Sequence, residues 1–380
     1  MRNCFLPLLI LLLFLALTGT ARKRPVIIGY INTPDSSVDY ATFDPGKITH
    51  LNYSFAHITD NKISLPESER SHLAKLVTYR EKFPDLKILI SIGGWAGDTR
   101  EFYQMAEKPE NRKIFINSVL EFIDQTHIDG VDLDWEFPGY DWVASGGAIS
   151  LNPNRPQDRD HLTELLTELR NAFTTKSEAS KNRNSYLLTI TTSALPEITH
   201  TIDLHSVAQQ VDFINIMAYD LYMSWLPLPI SFTGHQSNLY DTDHNPRTVS
   251  ADLAVQFHLD AGVPANKIVL GIPLGFYNYW SRVNPKNHGL YQFAANNIHL
   301  PVTEIKRMIA DGTLRRFWDK KAKVPYYWDA KSLTFASGDD ERSIRVKCKY
   351  IKKRQLGGAM FWYYQKDEEK LLNALVSSMK

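Results

Sequence analysis

Three carboxylate side chains alternate along one short segment of the chain: Asp132, Asp134 and Glu136. In an extended strand, residues two apart point to the same face, so these side chains would lie within roughly 7 Å of their neighbours. Repulsion between buried carboxylates raises their pKa values, so one member of the set could deliver a proton near neutral pH. The alternative is an antiparallel strand with a solvated acidic face, although such faces usually mix charges of both signs.

The elements that would position these carboxylates follow a regular alternation. Eight short apolar runs are candidate strands: Val26 to Ile31, Ile48 to Ala56, Lys87 to Ile92, Gly130 to Glu136, Tyr186 to Thr192, Val211 to Met217, Lys267 to Ile272 and Gly357 to Trp362. Helical periodicity marks the segments Glu67 to Phe83, Pro109 to Thr126, Gln157 to Lys176, Arg247 to Ala261, Glu341 to Arg354 and Asp367 to Met379. Strands that alternate with helices predict an α/β protein, and eight such units predict a closed (β/α)8 TIM barrel.

Strand parity and position select Glu136 as the proton donor. In a barrel enzyme the catalytic groups lie at the carboxyl ends of strands, and Pro138 ends the predicted fourth strand just after Glu136. Asp134 and Asp132 lie deeper on the same face, so the three carboxylates should titrate as a unit. Asp129 differs from them in parity and is expected to cap or brace the strand start.

One interval does not follow the alternation of strands and helices. Residues 275–340 form no barrel unit and predict a small α+β insertion after strand seven, which would emerge on the catalytic face and form a wall of the cleft. The aromatic residues that could line this wall are Tyr277, Tyr279, Trp280, Tyr291, Trp318, Tyr326, Tyr327 and Trp328. The alternative is that these side chains build a small core of the insertion itself.

Composition indicates an ordinary globular protein with no bias toward charged polymers. The formal net charge is +1, and 22% of the residues are charged without a dominant block of one sign. We therefore expect neither nucleic acid nor an acidic membrane surface as a partner. Aromatic residues make up 12% of the chain, which suits a site for flat amphipathic ligands such as sugars.

The first 21 residues have the pattern of an export signal. Arg2 precedes an apolar run from Phe5 to Leu17, and small residues follow up to a predicted cleavage site near Ala21. An uncleaved membrane anchor is the less favoured alternative, because the apolar run is short for a membrane span. Cleavage would leave residues 22–380 as a secreted monomer with Cys348 as its one cysteine, and we expect Cys348 to be a packing residue.

The motifs of this sequence resemble those of a known family, the glycoside hydrolase family 18 chitinases. The strand-four motif Asp-x-x-Asp-x-Asp-x-Glu stands here as residues 129–136. Three more motifs occur in the family's order, at the ends of other predicted strands: Ser91-Ile92-Gly93-Gly94-Trp95, Met217-Ala218-Tyr219-Asp220 and Gly357-Gly358-Ala359-Met360-Phe361-Trp362. The resemblance covers essentially the whole chain after the export signal.

The resemblance implies a retaining mechanism in which the 2-acetamido oxygen of the substrate replaces an enzyme nucleophile. By carry-over from the family, Glu136 protonates the glycosidic oxygen and later deprotonates the incoming water. Asp134 orients the acetamido group, and Asp132 tunes Asp134 by sharing a proton. The resemblance also implies that Tyr219 donates a hydrogen bond to the acetamido oxygen. Asp220 and Met217 would shape the pocket around the sugar, and Trp362 would form the floor on which the sugar stacks.

Further substrate contacts are less firmly placed by the sequence. Gly94 suits a tight turn close to the substrate, and Trp95 follows it in a loop where it could stack on a sugar. After strand seven, many family members carry a Tyr-Gly-Arg triplet, which this chain lacks. Tyr277 and Arg282 are therefore only candidates for the sugar contacts that the tyrosine and arginine of the triplet often make.

Other chemistries have little support in the sequence. No His-Glu-x-x-His motif, cysteine pair, Gly-x-Ser-x-Gly elbow or phosphate-binding glycine loop occurs. A metal ion held by the acidic residues is an open alternative, but the expectation is a reaction without metal or cofactor.

The function predicted from the sequence is hydrolysis of β-1,4-linked N-acetylglucosamine in chitin or chito-oligosaccharides. An endo-β-N-acetylglucosaminidase acting on glycoprotein glycans is an alternative, since it would need the same acetamido chemistry. A chitinase-like lectin that binds without cleaving is a second alternative.

Overall fold

A computed structural model describes residues 25–32, 43–95, 97, 99–143, 148–180, 185–223, 231–364 and 369–380. The export signal predicted in residues 1–21 lies outside these ranges and stays a prediction. Within the described residues, no helix is long and apolar enough to cross a membrane.

The core of the fold is a closed barrel of parallel strands. The strands of the described residues, in and outside the barrel, are in chain order β1 (Val26–Asn32), β2 (His50–Thr59), β3 (Lys62–Ser64), β4 (Lys87–Gly93), β5 (Gly130–Asp134), β6 (Tyr140–Val143), β7 (Ala148–Leu151), β8 (Leu187–Ser193), β9 (Phe213–Met217), β10 (Ser231–Phe232), β11 (Ile268–Pro273), β12 (Phe276–Ser281), β13 (Phe293–Ala294), β14 (Asn296–Pro301), β15 (Arg315–Asp319), β16 (Val324–Asp329), β17 (Thr334–Ser337) and β18 (Gly358–Trp362). The barrel order is β1, β18, β11, β9, β8, β5, β4, β2, and pairing of β1 with β2 closes it. The predicted (β/α)8 barrel is confirmed.

Helices surround the barrel and cover its apolar outer face. They are α1 (Glu67–Val77), α2 (Thr99–Glu107), α3 (Pro109–Thr126), α4 (Asp158–Ala179), α5 (Pro196–Thr199), α6 (Leu204–Gln210), α7 (Ala251–Asp260), α8 (Val302–Ala310), α9 (Glu341–Arg354) and α10 (Glu369–Met379). The predicted bounds of α3 and α9 agree with the structure. The short helices α2, α5 and α6 were not predicted.

Local capping explains two of the helix boundaries. The helix α7 was predicted to begin at Arg247, but it begins at Ala251 because the Ser250 side chain accepts a hydrogen bond from Leu253 N. Asp340 and Ser343 form a reciprocal capping box at the start of α9, and this helix does begin where the sequence predicts.

The strand that carries the acidic motif is shorter than predicted. It ends at Asp134, because its last pairing with β4 joins Gly93 to Asp134. Glu136 therefore lies beyond the strand, in the segment that leads to the β6–β7 hairpin. Trp135, by contrast, points away from the barrel interior as its parity predicts, and stacks on Phe102 of α2 with ring centroids 5.3 Å apart.

The insertion after the seventh barrel strand is an antiparallel sheet with strand order β14, β12, β17, β16, β15, accompanied by α8. This confirms the predicted α+β insertion. Most of the aromatic residues expected to wall the cleft instead form the core of this sheet. The buried ones are Tyr277, Trp280, Tyr326, Tyr327 and Trp328. The alternative, that these side chains build a core, is therefore correct for these five residues, although this core is continuous with the apolar core of the barrel.

Cys348 of α9 is fully buried against α10, where its thiol contacts the carbonyl oxygen of Leu375 at 3.9 Å. Burial raises the pKa of the Cys348 thiol to about 12, so the thiol is neutral and the residue serves packing.

Candidate active site

Asp132 is anchored inside the barrel by side chains from four other strands. Its Oδ2 accepts hydrogen bonds from the Tyr30 and Ser91 hydroxyls, each at 2.8 Å. Its Oδ1 accepts from the Thr189 hydroxyl at 2.5 Å and from Asn215 Nδ2 at 3.2 Å. Four donors occupy the lone pairs of the two oxygens, so the carboxylate is completely satisfied although none of it is exposed.

This geometry changes how Asp132 can act on its neighbour. Burial raises the pKa of Asp132, and the four hydrogen bonds oppose that effect. Among the described residues no hydrogen bond joins Asp132 to Asp134. The charge of Asp132 raises the pKa of Asp134, and proton sharing between the two stays a prediction.

Asp134 lies above Asp132 on the same face of β5 and is 4% exposed. The Thr191 hydroxyl donates a hydrogen bond to Asp134 Oδ1. Burial and the charge of Asp132 raise the pKa of Asp134 to about 7, against the opposing effect of that hydrogen bond. No described residue donates to Asp134 Oδ2, which leaves this oxygen able to accept a hydrogen bond from a ligand.

Glu136 is the third carboxyl group of the motif and follows the end of β5. Burial, then the charges of Asp134 and Asp220, raise the pKa of Glu136 well above its ordinary value. The same surroundings favour the protonated form of the carboxyl group, and the side chain is partly buried. No described residue forms a hydrogen bond with its carboxyl group. A raised pKa together with an open position is what a general acid needs.

Tyr219, Met217 and Asp220 come together where β9 ends. Burial and the nearby charges of Asp134 and Glu136 raise the pKa of Tyr219 well above its ordinary value, so its hydroxyl remains a hydrogen-bond donor. Tyr219 packs edge-on against Phe276 of the insertion, with ring centroids 6.4 Å apart.

Trp362 lies at the end of β18 with its ring partly exposed. Tyr30 contacts it edge-on at 5.7 Å, and Phe55 stacks on it at 5.4 Å. Gly94 packs beneath Phe55: its backbone has φ +80°, and a Cβ at this position would lie 2.5 Å from the Phe55 ring. The close approach of Gly94 thus supports Trp362 indirectly, through Phe55.

The remaining candidates lie in different surroundings. Trp95 is partly buried in the loop after β4 and packs against the barrel core. Tyr277 is buried, and its hydroxyl donates to the carbonyl oxygen of Asp339 at 2.5 Å, so it is a core residue of the insertion. Arg282 is exposed just past the far end of β12 from Phe276, roughly 20 Å away at strand spacing. The structure therefore places neither Tyr277 nor Arg282 beside the carboxylates.

Several residues of the site were not identified from the sequence. Tyr30, Thr189, Thr191 and Asn215 hold the carboxylates, and His299 of β14 contacts Asp220 with 3.1 Å between Nε2 and Oδ1. The signal for Thr189 and Thr191 was present as polar residues at alternate positions of β8, and that for Asn215 as one polar residue in the otherwise apolar β9. The contact of His299 with Asp220 has no signal in the local sequence.

A metal site does not emerge from these side chains. In the part of the chain that the structure describes, no group of three or more His, Cys, Asp or Glu residues could hold a metal ion.

Comparison with known proteins identifies the family. Residues 26–367 match the model of the glycosyl hydrolases family 18. The chain belongs to glycosyl hydrolase family 18. The geometry above therefore describes the carboxylates and neighbouring aromatics of a family 18 barrel.

Curated relatives of this family 18 chain include enzymes and a chitinase-like protein. Chitinase A1 of Niallia circulans is 32% identical over 93% of the chain and 58% of its own length. Chitotriosidase-1 of Mus musculus is 31% identical over 86% of the chain and 68% of its own length. Human chitinase-3-like protein 2 is 29% identical over 86% of the chain and 81% of its own length. The chain thus spans little more than half of the bacterial chitinase.

Solved family 18 structures are similar along nearly the whole chain. A glycoside hydrolase family 18 N-acetylglucosaminidase from Paenibacillus barengoltzii has a TM-score of 0.79 and 32% identity, covering 93% of this chain and 99% of that chain. The class V chitinase of Nicotiana tobaccum has a TM-score of 0.81 and 27% identity, covering 94% and 99%.

Proposed function

We propose that this family 18 protein is a chitinase that hydrolyses β-1,4 bonds between N-acetylglucosamine units with retention of configuration. The observation that carries the proposal is the carboxyl group of Glu136, which follows β5, whose pKa is raised well above its ordinary value and with which no described residue forms a hydrogen bond. The chitinase relatives and the N-acetylglucosaminidase structure support the choice of substrate.

In the first step, Glu136 donates its proton to the glycosidic oxygen while that bond to the anomeric carbon breaks. The acetamido oxygen of the same sugar attacks the anomeric carbon and forms a cyclic oxazolinium ion. Asp134 accepts the acetamido N–H at Oδ2, which is the oxygen that no described residue occupies. Its negative charge then stabilises the positive ring, and the Tyr219 hydroxyl donates to the acetamido oxygen to align it.

In the second step, the Glu136 carboxylate removes a proton from water, which attacks the anomeric carbon from the face the leaving group vacated. The acetamido group is released and Glu136 is again protonated. Two inversions at one carbon give net retention. Substrate assistance needs no separate carboxylate nucleophile, which agrees with Asp132 and Asp134 lying on one face of β5 directly before Glu136.

Trp362 supplies the apolar surface on which the sugar rests, because its partly exposed ring is held from behind by Tyr30 and Phe55. Met217 and Asp220 are proposed to shape the pocket around that sugar. Gly94 and Trp95 are proposed to border it from the loop after β4. We further propose that the enzyme is secreted after cleavage near Ala21, and that it acts as a monomer.

The test is digestion of a chito-oligosaccharide, with product length and anomeric configuration followed by time-resolved NMR. The proposal expects shorter oligosaccharides whose new reducing ends are initially the β-anomer. Binding without cleavage would assign the protein to the chitinase-like lectins instead. Release of glycans from a high-mannose glycoprotein without cleavage of the oligosaccharide would identify an endo-β-N-acetylglucosaminidase.

A further inference from the structure

His299 contacts the catalytic end of the barrel from the insertion. Its Nε2 lies 3.1 Å from Oδ1 of Asp220, although the two residues are 79 positions apart in the chain. Asp220 directly follows Tyr219 at the end of β9, whereas His299 belongs to β14, an edge strand of the insertion sheet. The contact therefore exists only because the insertion folds back over this end of the barrel.

The sheet holds the imidazole of His299 in this position. His299 pairs with Asn278 across the antiparallel β12–β14 ladder, which puts it on the same face as Phe276. The Phe276 ring lies 4.3 Å from the imidazole and also packs against Tyr219. The His299 side chain keeps 43% of its surface exposed and so remains in exchange with solvent.

Few other charges act on His299. On β14 no second side chain is ionisable. Ionisable groups on the elements packed against β14, and at the end of β9, are Tyr277, Tyr279, Glu304, Lys306, Arg307, Tyr219 and Asp220. Glu304 and Arg307 bind each other at 2.7 Å. Although burial opposes a charge on the imidazole, Asp220 raises the pKa of His299 above its ordinary value.

We propose that His299 is a positioning residue for hydrolysis: its imidazolium fixes the Asp220 carboxylate and offsets the negative charge that Asp220 places beside Glu136. This inference rests on the proposed function. It assigns the insertion a direct part in positioning the groups that act in hydrolysis. It also means that the proton affinity of the catalytic acid depends on the charge state of a residue outside the barrel.

The sign of the effect follows from the charges. Asp220 raises the pKa of Glu136, and a cation beside Asp220 weakens that effect. His299→Gln keeps an N–H donor but removes the cation, so Glu136 should hold its proton to higher pH. His299→Arg keeps a cation at every working pH, so Glu136 should lose its proton at lower pH. The pH at which kcat/KM falls on the basic side should therefore be highest for His299→Gln, intermediate for wild type and lowest for His299→Arg. The steps between them should be about 0.3–1 pH unit.

The experiment compares pH profiles of kcat/KM for one chito-oligosaccharide in wild type, His299→Gln and His299→Arg, alone and combined with Asp220→Asn. In the Asp220→Asn background, the differences between wild type and the His299 variants in the pH of the basic limb should become smaller, because the cation then has no negative charge to offset. A fall in activity with unmoved limbs, or the opposite order, would overturn the positioning role.

A second measurement does not depend on catalysis. Imidazole NMR of the full chain should give a His299 pKa above about 6.5 that falls in Asp220→Asn. An unshifted pKa would overturn the ion pair itself. A normal ion pair in a wild type that cleaves no oligosaccharide would instead refute the proposed function, and the role of His299 in hydrolysis with it.

Discussion

Asp134 and Asp132 share one face of β5, and together with burial the charge of Asp132 raises the pKa of Asp134 to about 7. The two carboxyl groups are treated differently by the fold. Among the described residues, four hydrogen bonds are donated to the carboxyl group of Asp132, whereas one, from Thr191, is donated to that of Asp134. The barrel thus keeps one carboxylate fixed and leaves its neighbour under-satisfied, an arrangement that favours a ligand over stability.

Replacing Asp134 by Asn should stabilise the protein at neutral pH while greatly reducing hydrolysis. The pKa of Asp134 is raised in the folded state, so ionising it costs stability as pH rises from about 4 to about 7, and the cost then stays constant. Because Asn carries no charge and its oxygen can still accept from Thr191, the gain should be on the order of 2–4 kcal/mol above pH 7 and vanish near pH 4.

Denaturant unfolding at several pH values measures this difference. Asp160→Asn on the exposed surface of α4 is the matched control for the substitution itself. An Asp134→Asn variant that is less stable than wild type at pH 8 would contradict the raised pKa.

Glu136→Gln should abolish turnover and leave oligosaccharide binding nearly intact. The acid acts only in the transition state, whereas binding depends on Trp362 and the surrounding cleft. We expect kcat to fall by about 100-fold to 10,000-fold. Rates and calorimetric binding of a chito-oligosaccharide measure the two properties, with Glu121→Gln on the exposed face of α3 as control. Retained turnover would show that another group is the acid.

Fully deacetylated chitosan should resist cleavage, because glucosamine lacks the acetamido oxygen that attacks the anomeric carbon. The comparison uses polymers of equal length and different degrees of acetylation, with products analysed by mass spectrometry. Each cleaved bond should have an N-acetylglucosamine unit on its non-reducing side. Efficient cleavage after glucosamine would refute substrate assistance.

Gly94→Ala should weaken sugar binding as well as stability. A Cβ at Gly94 would lie 2.5 Å from Phe55, so the Phe55 ring that supports Trp362 has to move. Gly312 is a matched control because it also has φ +80°, but a Cβ there would meet nothing within 4 Å. Gly312→Ala should cost about 1 kcal/mol for backbone strain alone, and Gly94→Ala should cost more.

Unfolding free energies compare the two glycine variants, and oligosaccharide affinity in the Glu136→Gln background shows whether Trp362 has shifted. Equal effects of both substitutions would mean that Phe55 adapts without disturbing Trp362.

Much of the architecture could be predicted from local patterns. β-Branched runs and helical periodicity are properties of adjacent residues, and they identified the eight barrel strands and the exact bounds of α3 and α9. Predictions failed where long-range pairing decides: β5 ends at Asp134, which pairs with Gly93, the last residue of β4, and this left Glu136 outside the strand. The aromatic residues of the insertion could not be divided between cleft and core, since that depends on how its strands order themselves.

The sequence by itself determined which carboxylates share a face, because alternation along a strand is fixed by backbone geometry. It also determined the family, through four motifs at the ends of barrel strands. The tertiary structure decided the charge state and freedom of each carboxyl group, since these depend on donors from other strands such as Tyr30 and Thr189. It also brought His299 into contact with Asp220, 79 positions away in the chain. Burial and through-space contact set both outcomes, and neither is encoded in the spacing of neighbouring residues.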